Sequence, residues 1–159
     1  MIDVAIRFRR QNRQTAIDGT VGPHDFSWMA RSKAGHGVAI DGSWDGGAVA
    51  LELHERKIGT GVAIVTGSVG PSPTQLDISR HMRLGLDVAG QIGAEAIALR
   101  LDRPVGARRR IVHRPPTPDV AMQLAWQNLG GTLTGQVTRP IDALAAALVG
   151  LTAGESAGR

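Results

Sequence analysis

The chain has 159 residues, no cysteine, a formal net charge of +4, 42% hydrophobic residues and only 3% aromatic ones. That length suits one domain with a hydrophobic core, or one domain plus a short arm; the missing cysteines exclude disulfides, thiolate metal sites and a catalytic thiol. No run reaches the roughly 18 apolar residues that a membrane-crossing helix needs, and the opening MIDVAIRFRR lacks the apolar core of a signal peptide, so the expected location is cytoplasmic, without a membrane partner.

In chain order, residues 1–35 read as a basic N-terminal arm or an extra strand, because Ile2, Val4, Ile6 and Phe8 alternate with polar positions before Gly19, Gly22 and Pro23 break the chain. From Gly37 the apolar runs Val38–Asp41, Ala48–Glu55 and Lys57–Gly67 predict a three-strand antiparallel meander joined by tight turns. Ser72, Pro73 and Gln75 form a helix start with a capping box, and Ile78, Met82, Leu86, Ala89 and Ile92 recur at helical spacing up to Gly93. Ala96–Asp102 reads as a strand, residues 105–117 as a loop or short hairpin, and Pro118–Asn128 as a second helix capped by Thr117. Thr132–Val137 reads as a fifth strand, and Ile141–Leu151 as a final Ala/Leu helix before a flexible tail at 152–159. The predicted order is β-β-β-α-β-α-β-α, without internal repeats. It makes residues 36–151 an α/β domain.

Sixteen of the 18 basic residues are arginine. Arginine is weakly hydrated and bonds phosphate bidentately, which suits nucleic-acid contact. A GC-rich genome would encode the same bias. Two groups stand out: Arg7, Arg9, Arg10 and Arg13, and Arg108, Arg109, Arg110 and Arg114. Two separate basic segments could clamp a duplex, and a solvated charged face would carry the same residues. Trp44, in the first hairpin, could stack on an unpaired base or plug the surface. The histidines form no spaced ligand pair.

The element order and three acids give the domain its resemblance. GVAIDGSWDGGAVAL places Asp41 at the end of a first strand before a glycine turn. LDRP places Asp102 at the end of the fourth strand, and IDALAAALVG places Asp142 at the start of the last helix. In these features the chain resembles the RuvC-type Holliday junction resolvases of the RNase H-like nuclease superfamily. The resemblance implies a mixed five-stranded sheet flanked by helices. It also implies a dimeric endonuclease that cuts branched DNA through two Mg²⁺ (or Mn²⁺) ions held by Asp41, Asp102 and Asp142, with Asp45 in reserve. The phosphate contacts would come from Arg9, Arg10, Arg108, Arg109, Arg110 and Arg114. Arg139 stands where the family often has a further acid. The alternatives are a non-catalytic RNase H-like module for nucleic-acid binding or assembly, a half of an actin-like or sugar-kinase phosphate-binding fold suggested by IDGSWDGG, and a structural component.

Overall fold

Apolar and polar side chains alternate through most of the chain, and that period of two folds it into strands rather than helices. The computed structural model describes residues 1–33, 37–55, 63–81, 85–103, 105–106, 108–127 and 129–157. Its strands are β1 (Ile2–Gln11), β2 (Gln14–Val21), β3 (His24–Lys33), β4 (Gly37–Trp44), β5 (Gly47–Glu55) and β6 (Ala63–Val69). They continue with β7 (Ser72–His81), β8 (Gly85–Ile92), β9 (Glu95–Leu101), β10 (Arg108–His113), β11 (Val120–Gln127) and β12 (Gly130–Val137). The one helix among the described residues is α1 (Pro140–Ala157). Each strand pairs antiparallel with its chain neighbours, and β1 closes on β12 from Ile2↔Val137 to Arg9↔Gly130, so the sheet is a closed barrel with no free edge.

This architecture corrects the α/β, RNase H-like expectation. The predicted helix at Ser72–Gly93 is the β7–β8 hairpin, in which Thr74, Leu76 and Ile78 point inward at every second position. Met82, part of the supposed stripe, lies outside the described residues, as do residues 57–62 of the third expected strand and Asn128. The predicted helix at Pro118–Asn128 is β11; its Ala, Gln and Met are good helix formers, but Val120, Met122 and Leu124 alternate into the core. The stretch read as an arm or extra strand supplies β1, β2 and β3. The final helix does form, and it runs on to Ala157.

The chain also carries a repeat that the sequence reading missed. Residues 17–21 (IDGTV), 40–44 (IDGSW), 65–69 (VTGSV), 88–92 (VAGQI) and 133–137 (LTGQV) share one pattern, apolar-x-Gly-polar-apolar. Each copy ends an even-numbered strand. A Cβ at Gly19, Gly42, Gly67, Gly90 or Gly135 would fall 2.0–2.2 Å from a carbonyl oxygen of the preceding odd-numbered strand, so only glycine lets the backbone approach that closely and kink. Such kinks bend a flat sheet until it can close.

The lumen belongs to α1. Pro140 suits the first helical position because its missing N–H would find no partner there in any case. From Asp142 to Ala153 every residue of the helix is buried, which is the mark of a helix apolar on all sides and enclosed by its protein. Leu144, Leu148 and Leu151 share one hydrophobic cluster with inward side chains of the wall such as Phe8, Trp28, Leu76 and Leu99. Eighteen residues span about 27 Å at 1.5 Å each, comparable to an eight-residue strand at roughly 3.4 Å per residue. The helix starts beside the last residue of β12 and reaches the far end, where the Trp126 indole donates to the Gly150 carbonyl at 3.0 Å. Polar and charged side chains occupy most of the outward positions of the wall.

Candidate polyanion-binding wall

The three acids expected to hold metal do not converge. Asp41 is exposed on β4, opposite Met29 and Ala50. Asp102 lies just past β9, five strands further round a ring of twelve, and its carboxylate accepts from Arg110 Nε at 3.1 Å and Nη2 at 3.0 Å. Asp142 sits inside the barrel in the first turn of α1, 1% exposed. Acids on opposite sides of a wall, one inside it and two outside, cannot share a coordination sphere, and this overturns the endonuclease reading. Among the described residues no group of three or more His, Asp or Glu could hold a metal ion. Asp41-Gly42 is a copy of the repeat, with its twin at Asp18-Gly19. The motif that suggested chemistry is a barrel-building device.

Arg139, which replaced an expected acid, has a structural partner. It bonds Asp142 through Nη2 at 3.0 Å and Nε at 3.2 Å, and its Nη2 also donates to the Ala96 carbonyl at 2.8 Å. The Asp142 carboxylate raises the Arg139 pKa further above its ordinary value. A carboxylate in the first helical turn is also favoured by the helix dipole. Asp45 adopts a left-handed turn conformation (φ 49°) and pairs with His24 at 3.0 Å. Trp44 packs against His24 and Phe26, with ring centroids 5.3 and 6.0 Å away.

Charge separates along the barrel. The end where the chain turns into α1 carries the exposed acids Asp3, Asp25, Asp45, Glu95 and Asp119. The other end gathers Arg10, Arg13, Arg31, Lys33, Arg80 and Arg103, with Arg108, Arg109 and Arg110 opening β10. Two of these turn inward. Arg10 lies over the Trp126 ring, 5.6 Å from its centroid. Arg109 is half-buried; it donates from Nε to the Asp102 carbonyl at 3.1 Å, and burial lowers its pKa below the ordinary arginine value. Arg114 lies further along, paired with Asp87 at 2.9 Å, and Arg100 holds the same carboxylate at 2.9 Å.

Arg103, Arg108 and Arg110 form a site on the outer wall together with Arg7 and Arg9 of β1. Register places Arg108, Ala125, Thr132 and Arg7 in one row across β10, β11, β12 and β1. Two clefts flank this row. One, of about 450 Å³, is lined by Arg103, Arg108, Arg109 and Arg110 with Asp102, Val105 and Gln123. The other, of about 410 Å³, is lined by Arg7 and Arg9 with Ala125, Gln127, Gly130, Thr132 and their neighbours. Acids hold the banks, Asp18 beside Arg7 and Arg9, and Asp102, itself in the lining of the first cleft, beside Arg110. The two basic segments of the sequence therefore meet across β11 and β12. Sequence reasoning missed Arg103, Gln123, Gln127 and Thr132; the repeat, which implies a closed ring, was the signal that could have brought β1 beside β12.

Comparison with protein-family models, with curated proteins and with solved structures gives no match. Fold and site define a class in structural terms only: a helix-filled, twelve-strand antiparallel barrel with an arginine-banked wall. No helix among the described residues is long and apolar enough to cross a membrane.

Proposed function

We propose that this is a binding domain for phosphate-bearing polyanions, and that the wall from β10 to β1 receives them. The observation that carries the reading is the row in which Arg7 and Arg108 face each other across Ala125 and Thr132, with Arg9 and Arg110 beside them. Side-chain exposures of 63% for Arg7, 56% for Arg9 and 70% for Arg110 leave these guanidiniums open to a ligand. Arginine's planar fork matches phosphate oxygens. Arginines outnumber acids at this end of the barrel, where Asp18, Glu52 and Asp102 each pair with a basic side chain, and the excess positive charge favours an anionic partner. The lumen is filled by α1, which directs ligand binding to the outer surface.

Titration with inorganic polyphosphate tests this. Binding should be measurable at low salt, weaken steadily as salt rises, and exceed binding to polyglutamate of similar charge. No binding of polyphosphate at low salt would remove the reading.

A further inference from the structure

We infer that the polyanion is duplex nucleic acid, held by its two backbones, with Arg108 and Arg110 on the phosphates of one strand and Arg7 and Arg9 on those of the other. This rests on the polyanion reading of the same wall and names its partner. Three features of the wall point to a duplex.

The first is spacing. Strands β10 and β1 are three intervals apart around the barrel. At 4.7–4.9 Å per interval the two arginine rows lie about 14 Å apart at the backbone. That is the scale of the B-form major groove, about 12 Å wide, and long arginine side chains take up the difference. The second is the floor. Between the banks the outward side chains are Gln123, Ala125 and Gln127 on β11 and Thr132 and Thr134 on β12, all uncharged. The floor is free of the repulsion that acids would add, and it has amides and hydroxyls for the groove between the backbones. The third is what the lining is made of. Single-strand binders stack bases on aromatic side chains; here Phe8 is the only aromatic residue that lines the described clefts, and it is 0% exposed and turned into the lumen. An anionic lipid surface is flat and calls for several apolar anchors. Val105, 80% exposed at the rim of one cleft, and Leu129, 65% exposed in the turn between β11 and β12, are two isolated side chains on different hairpins rather than a continuous apolar patch.

The test is a salt titration of binding to a short DNA duplex, to one of its single strands and to vesicles of phosphatidylserine and phosphatidylcholine. Four phosphate contacts predict a slope of log K against log salt of about −3.6 on the duplex. R7Q/R9Q and R108Q/R110Q should each halve it to about −1.8, because each removes two contacts. All four positions are exposed, so both variants should melt like the parent chain. R13Q/R31Q, which removes two exposed charges of the same end off this wall, should leave the slope unchanged. Equal loss of slope in R13Q/R31Q would overturn the inference in favour of bulk charge. Tighter binding to the single strand or to the vesicles would overturn it in favour of another polyanion, with the polyanion reading intact. Failure to bind polyphosphate as well would sink both.

Discussion

The two ends of the barrel are built on opposite principles. At the acidic end, short glycine turns and the Arg139–Asp142 pair close the molecule around the start of α1, and the cation there is engaged by its own chain. At the basic end, arginines line open clefts, and several are held from the side by acids that leave guanidinium edges facing outward. The same residue type is structural at one end and available for binding at the other. What decides its role is whether a buried carboxylate faces it.

The largest test of this contrast concerns the kinks common to both halves. Gly90→Ala puts a Cβ 2.1 Å from the Gln75 carbonyl oxygen. It should cost about 4 kcal/mol or more, or prevent folding. Gly106→Ala, at a left-handed position (φ 65°) with no atom within 4 Å of its Cβ, should cost only about 1–2 kcal/mol in a denaturant melt. Equal costs would mean that the kinks do not close the barrel. Next comes the latch. Arg139→Ala leaves the buried Asp142 without its cation and should lose about 3–5 kcal/mol, whereas the joint replacement of Arg139 and Asp142 by Leu should recover much of that. At the basic end, Arg108→Ala should change stability by no more than about 0.5 kcal/mol, since Arg108 is exposed. A large loss there would erase the distinction between the ends.

The smallest effect is one of pH. Hydrogen bonds from Lys33 and His54 hold the Glu52 carboxyl below the ordinary glutamate range. A carboxyl depressed in the folded state stabilises it above the unfolded pKa, and that contribution is lost as pH falls through the folded one. Glu52→Gln should therefore match the parent chain in acid and fall slightly below it near neutrality. A difference that grew as pH fell would reverse the sign and refute the assignment.

Much of the local structure was legible in the sequence. β1, the meander strands, β9, β12 and α1 all follow from alternation or from an apolar run with a proline start. The errors arose where composition and period disagreed. Ser72-Pro73-Thr74-Gln75 has the chemistry of a helix cap, yet Thr74, Leu76 and Ile78 keep a period of two, and the cross-strand pairing with β6 and β8 wins. The wall site was half legible: the arginine groups were visible, but their meeting depends on the closing pair β1–β12, more than a hundred residues apart in sequence. The acid trio was misleading because Asp41 belongs to a repeat and Asp142 to a latch. Neither role shows until the barrel is closed.

The plug has a consequence for biogenesis. α1 follows all twelve strands, so a ribosome delivers the wall before the element that fills it. The strands cannot complete a ring around an empty lumen without exposing Phe8, Trp28 and Leu99 on its inner face. The last pairing, β1 with β12, also waits until the strand ending at Val137 has been made. Closure and filling therefore belong to one late event, and until then the nascent wall offers a broad apolar surface of the kind that chaperones shield.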